Sequence, residues 1–173
     1  MPRFSGRARA PAENSGDLVS LAELDPVLIR LAEPADVEAV CTVTRLAPEA
    51  AQWSERAVEG FLGAGGEVRV ASGQGGVLGF LASRRAGDEV EILNLAVLPQ
   101  FRRHGLGRQL VDAALQEARQ RGARSAHLEV RSSNQQAIDF YSVCEFRVSG
   151  RRKGYYLDPV EDALLMEQSL GCS

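Results

Sequence analysis

The stretch LAVLPQFRRHGLGRQLVDAAL, from Leu95 to Leu115, limits the fold more tightly than any other part of the chain. It starts as an apolar strand, passes a proline, two glycines and a cluster of basic side chains, and continues with Leu106, Leu110, Val111, Ala114, Leu115 and Ala118 on one helical face until Gly122. SAHLEVRS then reads as another strand. A helix between two strands is a crossover, so VEILNLAV and SAHLEVRS should lie parallel. The glycine turn opens that helix, where backbone N–H groups lack intrahelical partners and the helix dipole adds partial positive charge. The junction is suited to hold an anion.

Around this unit the pattern is regular. VLIRLAEP reads as a first strand, Pro34 suits the first turn of a helix over ADVEAVCTVTRLA, and WSERAVEGFLG follows with Ser54 as N-cap and Gly63 as its end. EVRVAS, VLGFLASR and VEILNLAV are apolar runs separated by the turns GQGG and AGD, as in antiparallel hairpins. After SAHLEVRS comes a helix capped by Asn134 in NQQAIDFYSVCEF, then two strands in RVSGRRKGYY and EDALLMEQSL. The expectation is an α+β fold, a mostly antiparallel mixed sheet flanked by helices. Residues 1–25, rich in Pro, Gly, Ala and polar side chains, read as a flexible arm before one domain over 26–173.

Composition removes several function classes. A formal charge of −3 does not suit a general nucleic-acid binder. Cys41, Cys144 and Cys172 form no CxxC pair, and with two histidines they support neither a disulfide framework nor a metal site; reduced cysteines in a cytoplasmic protein are expected. No apolar run approaches the roughly 20 residues of a membrane span. The first residues have arginines but no apolar core of a secretory signal.

Three anion-binding motifs compete for the turn. No G-x-x-x-x-G-K-[ST] string is present, and GLGRQL lacks the third glycine of a dinucleotide fingerprint. What remains is R-x-x-G-x-G over Arg102 to Gly107. LNLAVLPQFRRHGLGRQLVDAAL resembles the acyl-coenzyme A binding motif of the GNAT superfamily of N-acetyltransferases. LEVRSSNQQAIDFYSVCEF resembles the next strand and helix of that superfamily. QWSERAVEGFL and GYYLDPVEDALLMEQSL are similar to segments of its RimI-type ribosomal-protein-alanine N-acetyltransferases. The resemblance runs over roughly residues 27–170.

The resemblance implies a GNAT fold whose parallel strands splay apart to admit acetyl-coenzyme A. Leu95, Ala96 and Val97 would pair with the pantetheine arm, while the backbone of Arg103, His104, Gly105, Leu106, Gly107 and Arg108 would receive the diphosphate, with the arginine side chains, Arg102 included, screening its charge. Asn134 would touch the cofactor arm, serve as helix N-cap, or do both. Glu129 takes the position of the proton acceptor; the alternative is a structural carboxylate paired with an arginine such as Arg131. Tyr141 takes the position of the acid for the departing thiolate; the alternative is a tyrosine anchoring its helix. Trp53, Tyr155 and Tyr156 are wall residues for the acceptor or packing residues of surface loops, and Glu91 reads as a solvent-facing strand residue. Strand alternation predicts Leu128 and Val130 on one face and Glu129 on the other, toward the cleft.

At pH 7 roughly a tenth of an α-amine of pKa about 8 is neutral, against less than about a thousandth of a lysine of pKa about 10.4. A carboxylate base is therefore easier to match to a protein N-terminus, and the RimI-like segments imply alanine of a ribosomal protein as acceptor. Acetylation of a small amine, antibiotic or lysine, and a catalytically silent acyl-coenzyme A sensor, are the other readings. Neither nucleic acid, membrane nor metal is expected as a partner. The silent reading draws on Glu145, which stands where the RimI-type pattern has glycine; a residue with φ > 0 there would cost about 1 kcal/mol.

Overall fold

The computed structural model describes residues 26–171; the expected arm and Cys172 lie outside the described residues. Strand β1 (Leu28–Leu31) leads through a short 3-10 turn into helix α1 (Val37–Leu46) and then helix α2 (Glu55–Gly63). Strands β2 (Glu67–Gly73), β3 (Gly76–Ala86) and β4 (Glu89–Val97) follow, then helix α3 (Leu106–Gln120), strand β5 (Ser125–Arg131), helix α4 (Gln135–Val143), and strands β6 (Arg147–Leu157) and β7 (Val160–Ser169). These strands form one sheet in the order β1-β2-β3-β4-β5-β7-β6, antiparallel at every junction except the parallel β4–β5 pair. The α+β architecture and the crossover expected from the Leu95–Leu115 stretch are both present.

Each face of the sheet has its own core. On one face, Leu110, Val111, Ala114, Leu115 and Ala118 of α3 pack with Leu81, Ile92, Leu128, Val130, Tyr141, Phe146 and Met166. On the other, Val40, Val43 and Val58 of α1 and α2 pack with Val68, Val70, Phe80 and Ala96. Burying each large aliphatic or aromatic side chain contributes about 1.5–3 kcal/mol, so the helices are held by these stripes more than by propensity. Arg69, 6% exposed on β2, forms ion pairs with Glu67 and Glu117 and thereby links the sheet to α3.

The helix ends follow local chemistry. Glu33 and Asp36 form a capping box ahead of α1, and Arg30 grips both oxygens of Asp36 at 2.6 and 2.9 Å. That hydrogen bonding holds the Asp36 carboxyl below its ordinary pKa. Ser54 caps α2 as expected, accepting from Ala57 N. α2 ends at Gly63 as expected, and the left-handed residue that closes it lies two positions on at Gly65, φ 84°, where Gly65 N and Gly66 N donate to Leu62 O and Phe61 O. The positive-φ position sets the stop, and Gly63 has space for a side chain around it. Among the described residues no helix is long and apolar enough to cross a membrane.

Candidate active site

The turn before α3 is built to present donors. Arg103 has φ 63° and Gly105 φ 81°, so the chain twice enters the left-handed region and swings successive N–H groups outward. Phe101 N and Arg102 N are used by Leu98 O and Pro99 O, and the first helical bond runs from Gln109 N to Gly105 O at 3.0 Å. Between them the N–H groups of Arg103, His104, Gly105, Leu106, Gly107 and Arg108 have no acceptor among the described residues. Gly107 has a packing reason as well: a Cβ there would sit 3.3 Å from the Phe140 ring.

The basic side chains of the turn divide into two groups. Arg102 is turned inward, its Nε donating to Val97 O at 3.0 Å and its guanidinium paired with Glu49. Arg108 grips Asp112 and donates to Val143 O at 3.0 Å, tying α3 to the end of α4. Arg103 and His104 are exposed and have no side-chain partner among the described residues. Of the three arginines expected at the turn, Arg102 and Arg108 are committed to protein groups and Arg103 is not.

Beside the turn the sheet opens. The β4–β5 pairing stops at Ile92 with Leu128. On the other side of β4, Ala82 pairs Asn94 while Ser83 pairs Ile92, which leaves Leu93 as an extra residue. A bulge bends a strand and changes which face its side chains meet. Val90 and Ile92 face the α3–α4 core, whereas Ala96 faces the α1–α2 core. Past the bulge Leu95, Ala96 and Val97 pair with no residue of β5, and Leu93, Asn94 and Leu95 line a cleft of about 420 Å³. Its lining includes Glu49, Gln52, Leu95, Glu129, Asn134, Tyr141 and Tyr156.

Glu129 and Tyr141 approach this cleft from different elements. Leu128 and Val130 are buried under the helices, and Glu129 points to the opposite face, as the alternation predicted. Glu129 pairs with Arg152 of β6, Oε1 to Nε 3.1 Å, and not with Arg131. Arg131 instead binds Glu161 at 3.1 Å and Asp158 O at 3.1 Å, and covers the Tyr156 ring at 4.1 Å. Tyr141, 8% exposed, stands edge-on to Phe140 and Phe146 at 5.1 and 5.7 Å. Burial raises its phenol pKa above the ordinary value, and its hydroxyl has no hydrogen-bond partner among the described residues.

Helix α4 carries Tyr141 and ends normally despite Glu145. Glu145 N donates to Ser142 O and Phe146 N to Tyr141 O, with Glu145 at φ 69° in the position glycine would favour. Its carboxylate accepts from Gln168 Nε2 at 3.3 Å. At the other end of α4, Asn134 Oδ1 caps Ala137 N at 3.1 Å while the residue also lines the cleft.

The walls differ in part from the sequence reading. In β6 the register jumps between Arg152 and Tyr156, and Gly154 has φ 59° with its N–H bound to Asp162 at 2.9 Å. This bulge places Tyr155 beside Glu129, whose hydrogen bonding raises the Tyr155 pKa, and leaves the neighbouring Tyr156 in the cleft lining. Trp53 lies on Phe61 at 5.1 Å in the α1–α2 core and is not among the lining residues; residues 48–52 take that place. Glu91 is paired with Arg84 at 2.8 Å on the exposed part of β4.

Residues not singled out in the sequence are Arg152, Asn94, Glu49 and Glu161. Asn94, 6% exposed, donates to Ala51 O at 2.8 Å. Its signal was a polar residue inside ILNLAV. Glu161 accepts from Ser133 N at 2.6 Å, and bonding to Ser133, with help from Arg131 and Ser132, holds its carboxyl at about 2. Among the described residues no group of three or more His, Cys, Asp and Glu side chains could hold a metal ion.

A mixed sheet with one parallel pair splayed by a bulge, closed at its end by a turn of free N–H groups, defines an acyl-coenzyme A-type transferase fold. Residues 37–146 match the Acetyltransferase (GNAT) family, and the chain belongs to it. Its similarity to ribosomal protein bS18-alanine N-acetyltransferase of Escherichia coli strain K12 is 41% identity over 81 residues, 46% of this chain and 55% of that protein. The aligned part thus spans about half the length of that curated relative. The crystal structure of the ribosomal-protein-S18-alanine N-acetyltransferase from Escherichia coli matches with TM-score 0.75 and 29% identity, covering 85% of this chain and 96% of that one. Ard1 from Thermoplasma volcanium matches with TM-score 0.75 and 29% identity, covering 83% and 97%.

Proposed function

We propose that the protein transfers an acetyl group from acetyl-coenzyme A to the N-terminal α-amine of a protein, an alanine of a ribosomal protein. The observation that carries this reading is the cleft itself: Glu129 and Tyr141 line one opening with Leu95 of β4, the strand that runs on into the turn with six consecutive N–H groups without acceptors. Those donors, the α3 dipole and Arg103 suit a diphosphate, and the edge of β4 beyond Ile92, which pairs with no residue of β5, suits an extended amide-bearing arm. Bound there, acetyl-coenzyme A supplies a thioester whose C–S bond breaks as the acceptor amine forms the C–N bond.

The chain's own groups move the protons. Glu129 accepts the proton of the amine, directly or through water, and Arg152 orients its carboxylate. Tyr141 stays protonated because burial disfavours its phenolate, so its hydroxyl is a donor for the leaving sulfur. Asn134 uses Oδ1 for the helix and keeps its NH₂ for the cofactor arm. Residues 48–52 on one side, and Tyr155 and Tyr156 on the other, form walls for a peptide end.

The RimI-type relatives favour an α-amine over a small amine or lysine. The regular end of α4 removes the distortion on which the silent-sensor reading drew. Residues 26–173 form the catalytic domain in this proposal and 1–25 an arm before it; a ribosomal acceptor places the reaction in the cytoplasm. Mass spectrometry of an Ala-terminated ribosomal peptide incubated with protein and acetyl-coenzyme A tests it. The acetyl mass is expected on the α-amine and lost when that amine is blocked; acetylation on lysine or of free polyamines alone would overturn it.

A further inference from the structure

Arg102 lies in the glycine-turn motif, yet its backbone N–H, Nε and Nη2 are all taken by protein groups. Its N–H donates to Pro99 O at 3.3 Å, its Nε to Val97 O at 3.0 Å, and its guanidinium pairs with Glu49. Val97 ends the strand that borders the cofactor side of the cleft, and Glu49 belongs to residues 48–52, which border the same cleft between α1 and α2. That segment lacks regular secondary structure; its other ties are Gln52 Nε2 to Thr44 O, Ala47 O and Ala50 O, Ala50 N to Ala47 O, and Ala51 O to buried Asn94 on β4, so Asn94 and Arg102 are its hydrogen-bonded links to β4 and the turn that follows it.

We infer that Arg102 is a positioning residue for the acceptor, a clamp that fixes residues 48–52 to the end of the cofactor strand. A planar guanidinium satisfies a carbonyl and a carboxylate in one fixed geometry, which an ammonium does not. The clamp meets β4 at Val97, and Asn94 meets it three residues earlier in the same strand. Both ties meet β4 past the Leu93 bulge, so the acceptor wall is set by the same backbone that sets the cofactor slot. Arg102 is 30% and Glu49 48% exposed, and ion pairs of that exposure contribute little to stability. Its consequence is placement. The inference rests on the acetyltransferase reading above for the identity of the acceptor, but the clamp is measurable without it.

The test compares Arg102→Met, Glu49→Gln, Arg102→Lys and the Met/Gln double variant. In turnover of the Ala-terminated peptide, each of the Met and Gln variants should raise the peptide KM about fivefold or more, with the acetyl-coenzyme A KM within about twofold and the double variant no worse than the weaker single. Arg102→Lys should recover only part of the loss, because it can reach Glu49 or Val97 O but not hold both. Hydrogen exchange, run without substrate, should show faster exchange at residues 48–52 in Arg102→Met and unchanged exchange in β5. Unaltered exchange, a KM change confined to acetyl-coenzyme A, or full additivity in the double variant would overturn the clamp. A parent protein inactive on every N-terminal peptide would refute the proposed acceptor instead, and the exchange result would still decide the clamp.

Discussion

Two glycines with nearly the same backbone angle separate a binding role from a folding role. Gly105 has φ 81° and Gly122 φ 86°, and at neither does an added Cβ meet an atom closer than 3.9 Å. Alanine at either site therefore introduces conformational strain without a clash, about 1–2 kcal/mol for an L-residue in the left-handed region, reduced by about 0.4–1 kcal/mol through the stiffer unfolded chain. Gly122 is locked at the end of α3, its N–H bound to Arg119 O and the next N–H to Ala118 O at 2.9 and 2.8 Å. Its strain has no release, so Gly122→Ala should lower Tm by about 2–4 °C for a net cost near 1 kcal/mol in a chain of this size. Gly105 is exposed and flanked by N–H groups without acceptors, so the free turn can relax away from the strained angle. Gly105→Ala should keep Tm nearly unchanged, and the strain should reappear when the ligand demands the original geometry. One to two kcal/mol corresponds to about 5- to 30-fold weaker binding. Thermal melts of both variants and calorimetric titration with coenzyme A read the two quantities. Parent-like affinity in Gly105→Ala, or an equal loss of affinity in Gly122→Ala, would refute the reasoning.

Other consequences are more direct. Glu129→Gln should reduce kcat about 100-fold or more while coenzyme A affinity stays within about twofold, and parent-like kcat would remove it as proton acceptor. Tyr141→Phe keeps the ring contacts with Phe140 and Phe146, so Tm should hold while the single-turnover rate falls about tenfold or more; an unchanged rate would rule out the acid role. Glu161, held at about 2 against an ordinary 4.5, contributes stability that is present above about 4.5 and is lost as pH falls toward 2. Acid titration of stability should therefore show a component in that window that disappears in Glu161→Gln, and identical acid profiles would contradict the assignment.

Periodicity and punctuation carried the fold because they are local. The α3 stripe, the Ser54 and Asn134 caps and the glycine turns each declare an element within a few residues. The β4 bulge did not, because apolar side chains on that strand meet a core on either face and the alternation continues across Leu93 unbroken. Gly63 and Gly65 compete as the left-handed closing residue in one short run, and only the backbone angle decides between them. In the candidate site, Glu129 and Tyr141 were singled out by resemblance to family motifs, with strand alternation supporting Glu129, and both line the cleft. Their partners were not. Arg152 reaches Glu129 through the irregular register of β6, Arg131 is drawn off by Glu161 thirty residues later, and Arg102 finds Glu49 across 53 positions. Such pairings depend on where strands bend, which neighbouring residues do not encode.

The most direct measurement follows individual backbone amides of the ¹⁵N-labelled protein during titration with coenzyme A and, separately, with pantetheine lacking the diphosphate. The resonances of Arg103 through Arg108 should move strongly with coenzyme A and stay nearly still with pantetheine, while those of Leu95, Ala96 and Val97 respond to both. A protein that binds coenzyme A with the 103–108 amides undisturbed would contradict the assignment of these donors to the diphosphate.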